Sequence, residues 1–109
     1  MSMINNSHRD AATGDVLHVS GELDLANAAV LRNHVEQLTL VHGHRLVIDL
    51  SGLTFCDSSG ITTLFAARQH TQAAGADIVL ADVPAHTLRN LGIIGLDQVF
   101  TFWTGADAL

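Results

Sequence analysis

The sequence predicts an α/β domain with a four- or five-stranded, mostly parallel β-sheet and helices packed mainly on one face. Three observations lead there. The apolar pattern switches repeatedly between strand-like runs and helical spacing, which marks alternating elements joined by crossovers. The run "RLVIDL" at 45–50 is short and almost continuously apolar, as a strand covered on both faces must be. The chain has 109 residues, 48% of them hydrophobic and 15% charged, which suits one domain with a single core and leaves no room for a second.

Each element has its own signal. Val16, Leu17 and Val19 form a short strand closed by Gly21. Asp24 offers an N-cap to a helix whose apolar positions, Ala28, Leu31, Val35 and Leu38, recur at three- and four-residue intervals. The segment His42-Gly43-His44 reads as the loop before "RLVIDL". Asp57 or Ser58 caps the next helix, with Ile61, Leu64 and Phe65 on its apolar face and Gly75 at its end. "DIVLA" at 77–81 is a further strand. Pro84 suits a helical start, Leu88 and Leu91 follow at helical spacing, Gly95 stops that helix, and "VFTFW" at 99–103 gives a last strand. Right-handed crossovers make such a sheet largely parallel, with room for antiparallel pairing of the first strands at an edge. Residues 1–12 are expected as a flexible segment ahead of a single domain over 13–109.

Composition excludes several functions. Eleven acidic residues stand against five basic ones, all arginine, for a net charge of −6, and no basic cluster exists to follow a nucleic-acid backbone. No apolar stretch approaches the roughly 20 residues of a membrane-spanning helix, and the start "MSMINNSHRD" lacks the regions of a signal peptide, so a cytoplasmic protein without membrane partners is expected. The single cysteine, Cys56, lies in an apolar run and reads as a buried, reduced thiol.

In a parallel sheet, chemistry and contacts concentrate on the loops leaving the C-terminal strand ends. Here that loop carries "FCDSSGITTLF" at 55–65. Side-chain oxygens before a helix accept from its unpaired amides, which explains one of Asp57 and Ser58. One cap is enough, yet Asp57, Ser58 and Ser59 are followed by Gly60, which weakens a helix but permits close backbone approach, read here as the approach of a partner. A nucleophilic serine is a poor fit, since the G-x-S-x-G elbow is absent and no base can be assigned to it. A phosphate acceptor fits well: the helix amides and dipole favour an anion at that position, and the added charge of about −1.5 to −2 beside Asp57 would alter a contact surface without unfolding it.

The segments "SGELDLANAAVLRNHV", "LVIDLSGLTFCDSSGITTLFAARQHTQAAGADIVLAD" and "LRNLGIIGLDQVFTFW" resemble the STAS family, specifically the stand-alone anti-anti-sigma factors of bacteria, from about Val16 to Trp103. The D-S-S-G motif between strand and helix carries most of the likeness, supported by G-E-L-D upstream and the G-L-D-x-V-F ending. The resemblance implies a STAS-like fold and no enzymatic activity or cofactor. It implies phosphorylation of Ser58 by an anti-sigma factor that is also a serine/threonine kinase, release of a sigma factor on binding that kinase, and resetting by a PP2C-type phosphatase. By the same resemblance Glu22, Asp24, Asp57, Ser58, Ser59, Gly60 and Thr62 form the partner-binding surface, with Asp24 and Asp57 framing an acidic contact. An alternative is the STAS subunit of a lipid-transport ATPase complex, which needs no phosphorylation.

This chain departs from many relatives in having Ile61 and Thr62 after D-S-S-G, where leucine and glycine are common; Ile61 thus puts a branched side chain on the first helical turn near Ser58. Thr62 and Thr63 lie inside the helical pattern and are expected to be solvated or bonded back to the helix. His42, His44 and His70 lack the spacing of a metal site, so none is expected. Glu22 and Asp24 read as turn and cap rather than as a catalytic acid pair. With no Walker-type loop and no lysine, nucleotide hydrolysis is a poor fit.

Overall fold

The structure is a computed structural model that describes residues 4–11 and 14–104. Its elements run β1 (Ile4–Ala11), β2 (Gly14–Leu23), α1 (Ala28–Gln37), β3 (Arg45–Cys56), α2 (Ser58–Ala73), β4 (Asp77–Ala81), α3 (Ala85–Ile93), a 3-10 turn (Leu96–Gln98) and β5 (Thr101–Trp103). The strands form one five-stranded sheet in sequential order. β2 to β5 are parallel, and β1 pairs antiparallel with β2 at the edge.

Each crossover moves the chain over by one strand, so crossovers of one hand stack all the helices on one face. The main core records this: Leu31 and Val35 of α1, Leu64 and Ala67 of α2 and Leu91 of α3 pack on Leu17, Val19, Leu46, Ile48, Leu50, Ile78 and Leu80. Alternate residues face the other way, and Val16, Val47, Val79 and Ala81 form a smaller cluster there against Trp103. Arg45 caps that cluster with its guanidinium 4.8 Å from the Trp103 ring centroid. β3 therefore lies between β2 and β4 with side chains buried on both faces, as its apolar run requires.

Five boundaries differ from the sequence expectation. Ile4–Ala11, expected within a flexible segment, pairs with β2 from Ile4↔Gly21 to Ala11↔Gly14. Its sequence, INNSHRDA, has no apolar alternation, so its signal lies only in the backbone ladder; residues 1–3, 12, 13 and 105–109 lie outside the described residues. β3 runs six residues past Leu50, to Cys56, where a loop was expected. Register shifts against β2 between His18 and Ser20 and between Gly21 and Glu22 break the two-residue alternation there, so that Leu50, Leu53 and Cys56 are buried at intervals of three. α1 starts at Ala28 rather than at Asp24, and Pro84 precedes α3 as its N-cap rather than lying in its first turn. β5 covers only Thr101–Trp103 of "VFTFW". Gly75 ends α2 as expected, in a left-handed conformation (φ 78°) that a residue without Cβ adopts freely.

Candidate functional site

The β3 extension carries the chain beyond the end of β4, whose pairing stops at Asp49↔Ala81, and keeps only β2 beside it. Glu22 faces Phe55 and Leu23 faces Cys56 in this ribbon, and the Asp57 amide donates to the Leu23 carbonyl at 3.2 Å. The G-E-L-D and D-S-S-G segments are thereby joined by the sheet itself.

Two local devices fix this end. After β2, the Asp24 carboxylate accepts from the Ala26 amide at 3.0 Å, and the Asp24 carbonyl accepts from Asn27 and Ala28 at 3.2 and 2.8 Å. Asn27 is buried and closes the turn from inside: its Oδ1 accepts from the Asp24 amide at 2.9 Å, and its Nδ2 donates to the Glu22 carbonyl. Asp24 thus shapes the turn instead of capping α1. At α2 the cap is Asp57, whose Oδ1 accepts from the Gly60 amide at 3.1 Å while its carbonyl accepts from Ile61 at 3.0 Å. Ser58 is left at the first helical position, exposed, its hydroxyl hydrogen-bonded to no described residue. Ser59 beside it is half-buried.

Gly60 was expected to admit a partner, but its close approach is internal. It is buried, and a methyl group placed on it would lie 2.7 Å from both Cys56 Sγ and the Leu23 carbonyl oxygen. The helix start seats directly on the ends of β2 and β3, and only a residue without a side chain permits that contact. Ile61 likewise turns into the main core. Thr62 and Thr63 donate to the carbonyls of Ser58 and Ser59 at 2.9 and 3.0 Å, so both are bonded back to the helix. Thr62 remains exposed one turn after Ser58. Burial, reinforced by the neighbouring Asp57 charge, pushes the Cys56 thiol up to about 12, which leaves it inert.

The structure also brings in residues that motif reading missed. The Asn90 side-chain amide of α3 donates to the Cys56 carbonyl at 3.4 Å, tying that helix to the residue before the D-S-S-G loop. A groove of about 280 Å³ follows, lined by Ser58, Ile61, Asn90, Ile93 and Ile94. Leu25, in the G-E-L-D turn, is 80% exposed. Their one sequence signal is the placing of aliphatic residues next to turn residues, in "ELDLAN" and "LGIIGLD". The histidines do not converge: the His42 ring packs on Gly75, His70 lies on α2, and no group of three metal-ligating side chains exists among the described residues.

Comparison with known proteins agrees with this arrangement. A family model described as "Mlab, STAS domain" matches residues 7–102. The anti-sigma-F factor antagonist RsfB of Mycobacterium tuberculosis is 35% identical over 95 residues, which cover 86% of this chain and 77% of that protein. A crystal structure of an anti-sigma factor antagonist from Mycobacterium paratuberculosis superposes with a TM-score of 0.80 at 28% identity, covering 97% of this chain and 90% of that one. The Bacillus protein SpoIIAA in its phosphorylated form shares the fold, with a TM-score of 0.70 at 17% identity over 95% of this chain and 96% of its own. The chain belongs to the STAS domain family.

Proposed function

We propose that this protein is an anti-sigma factor antagonist that binds an anti-sigma factor with serine kinase activity, frees a sigma factor by doing so, and is switched off by phosphorylation at Ser58. The observation that carries this reading is the Ser58 hydroxyl, exposed and hydrogen-bonded to no described residue, while Asp57 does the capping and Thr62 and Thr63 are bonded back to the helix. Such a hydroxyl can accept a phosphoryl group at no structural cost. Its Oγ–P bond forms as the bond between the γ-phosphorus and the bridging oxygen of ATP breaks. ADP leaves with that electron pair, and the serine proton passes to a base of the kinase. The product phosphate sits at a helix start, where amides and dipole stabilise it. The relatives named as anti-sigma factor antagonists support the same assignment.

In this role the protein is a regulator and not a catalyst. A PP2C-type phosphatase returns it to the binding state, and the cycle runs in the cytoplasm; no helix among the described residues is long and apolar enough to cross a membrane. Glu22, Asp24, Asp57, Ser58, Ser59 and Thr62 lie on the contact surface, with Gly60 beneath it as support. A second reading, a STAS subunit of a lipid-transport ATPase complex, draws on the exposed Leu25, Ile93 and Ile94, which would suit a permanent structural contact.

The test is phosphorylation with one hydroxyl removed at a time. Wild type, Ser58→Ala and Ser59→Ala are incubated with the anti-sigma kinase of the same organism and ATP, and intact mass is followed together with complex formation. Wild type and Ser59→Ala are expected to gain one phosphate and release the kinase, whereas Ser58→Ala binds and never lets go. Uptake by Ser58→Ala but not Ser59→Ala would move the acceptor by one residue, and no uptake by wild type would favour the structural-subunit reading.

A further inference from the structure

We propose that the corner formed by Ile93 and Ile94 at the end of α3 is the docking site for an apolar side chain of the anti-sigma kinase, with basic residues of that kinase around it. The proposal rests on the function assigned above and names the part of the surface that selects the partner.

Ile93 and Ile94 are 75% and 56% exposed, although full burial of an aliphatic side chain of this size is worth roughly 1.5–3 kcal/mol. They are held in place by the fold: Gly95 reverses the chain just beyond them with a φ of 78°, and Asn90, one turn earlier, is bonded to the Cys56 carbonyl. Ser58 shares their groove.

That shared groove identifies the occupant. Phosphoryl transfer requires the donor within about 3–3.5 Å of the Ser58 oxygen, so the protein that holds ATP must cover the rim on which Ile93 and Ile94 stand. The charge pattern gives its chemistry. The groove lining contains no charged residue; Asp57 beside Ser58 and the exposed Asp97 just past Gly95 outnumber the exposed Arg89 one turn before Ile93, on a chain with a net charge of −6. An apolar knob with a basic surround is complementary to such a surface. The same arrangement accounts for release. A phosphate on Ser58 brings about −1.5 to −2 charges to the mouth of an apolar groove, where a docked side chain would have to strip its water, and next to Asp57.

The experiment compares wild type with Ile93→Ser/Ile94→Ser and a milder Ile93→Asn variant, using Val30→Ser on the exposed face of α1 as control. Circular dichroism and thermal melting establish folding. Calorimetric titration with the purified anti-sigma kinase measures Kd, and mass spectrometry measures the rate of Ser58 phosphorylation. We expect Kd to rise at least about tenfold in the double variant and less in Ile93→Asn, the phosphorylation rate at low kinase to fall in parallel, and Val30→Ser to match wild type. Wild-type affinity and rate in a folded double variant overturn the corner while leaving the function intact. A wild-type protein that neither binds nor is phosphorylated overturns both. Sedimentation is run alongside: self-association of wild type that the double variant loses, with kinase binding unchanged, assigns the corner to a second copy and overturns the proposal.

Discussion

At Gly60 a single hydrogen in place of a side chain decides whether the D-S-S-G loop can form. The nearest atoms to an added Cβ are the Leu23 carbonyl oxygen, held in the β2–β3 ribbon, and the Cys56 sulfur, packed in the buried core, so neither moves aside cheaply. Gly60→Ala gains helix propensity of about 1 kcal/mol and loses more through overpacking of about 1–3 kcal/mol. A lower midpoint in urea unfolding is expected; an unchanged or higher midpoint would show that the helix start has room to shift. Residue identity made part of this site legible. Side-chain chemistry and spacing narrowed the cap to Asp57 or Ser58 and left Thr62 and Thr63 solvated or back-bonded, and the structure selects Asp57 and the back-bonded threonines. The inward role of Gly60 was not legible, because what a glycine lies against depends on strands that meet only in the fold. Asn27 was hidden for the same reason: its partners are backbone groups of Glu22 and Asp24, and nothing in an asparagine's local sequence announces that it is buried.

Between elements, the β2–β3 ribbon sets the geometry of the site, and two predictions belong to it. Charge reversal at Asp24 or Asp57 is expected to weaken kinase binding, with loss of stability held to about 1 kcal/mol or, at Asp57, to the 0.5–2 kcal/mol of a lost cap. Val47→Asp, which puts a carboxylate into the smaller core cluster, is the unfolding control. Binding lost only in proportion to folding would take both acids out of the interface. Further along the ribbon, Asp49 accepts from the Ser51 amide at 2.9 Å and lies 2.7 Å from His18 Nδ1. Burial pushes its carboxyl up, but the Ser51 and His18 interactions outweigh that and hold it below the ordinary value of 3.8. A depressed folded value means stability that is complete above about pH 4 and lost as the pH falls further through the folded value. Asp49→Asn is therefore expected to be less stable than wild type at pH 7, with the gap closing toward pH 3 in urea titrations. A constant gap would mean that the carboxylate's charge contributes nothing. The continuation of β3 to Cys56 was the least legible element, since two register shifts replace the alternation by which a strand is read.

Across the whole molecule, the proposed switch acts on a surface and not on the fold. Asp57 provides the cap, Gly60 the seating and Asn90 the tie to α3, and none of these uses the Ser58 oxygen. The main core lies between the helices and the sheet, beneath this surface. Adding the phosphate should consequently leave the sheet and the three helices in place, while new acceptor oxygens at the helix start and repulsion from Asp57 change what the surface can bind. Phosphorylated and unphosphorylated protein are expected to give the same far-UV spectrum and melting temperatures within about 2–4 °C, which is the shift that a change of about 0.5–1 kcal/mol produces in a domain of this size. Amide resonances should move in the G-E-L-D turn, at residues 57–62 and at the α3 corner, and stay fixed in Val47, Ile48, Val79 and Leu80 at the centre of the sheet. Widespread shifts through that centre would sink a surface switch and make release a consequence of refolding. Shifts confined to Ser58 and its two neighbours, with the α3 corner silent, would separate the phosphate from the groove and leave charge repulsion by Asp57 as the sole means of release.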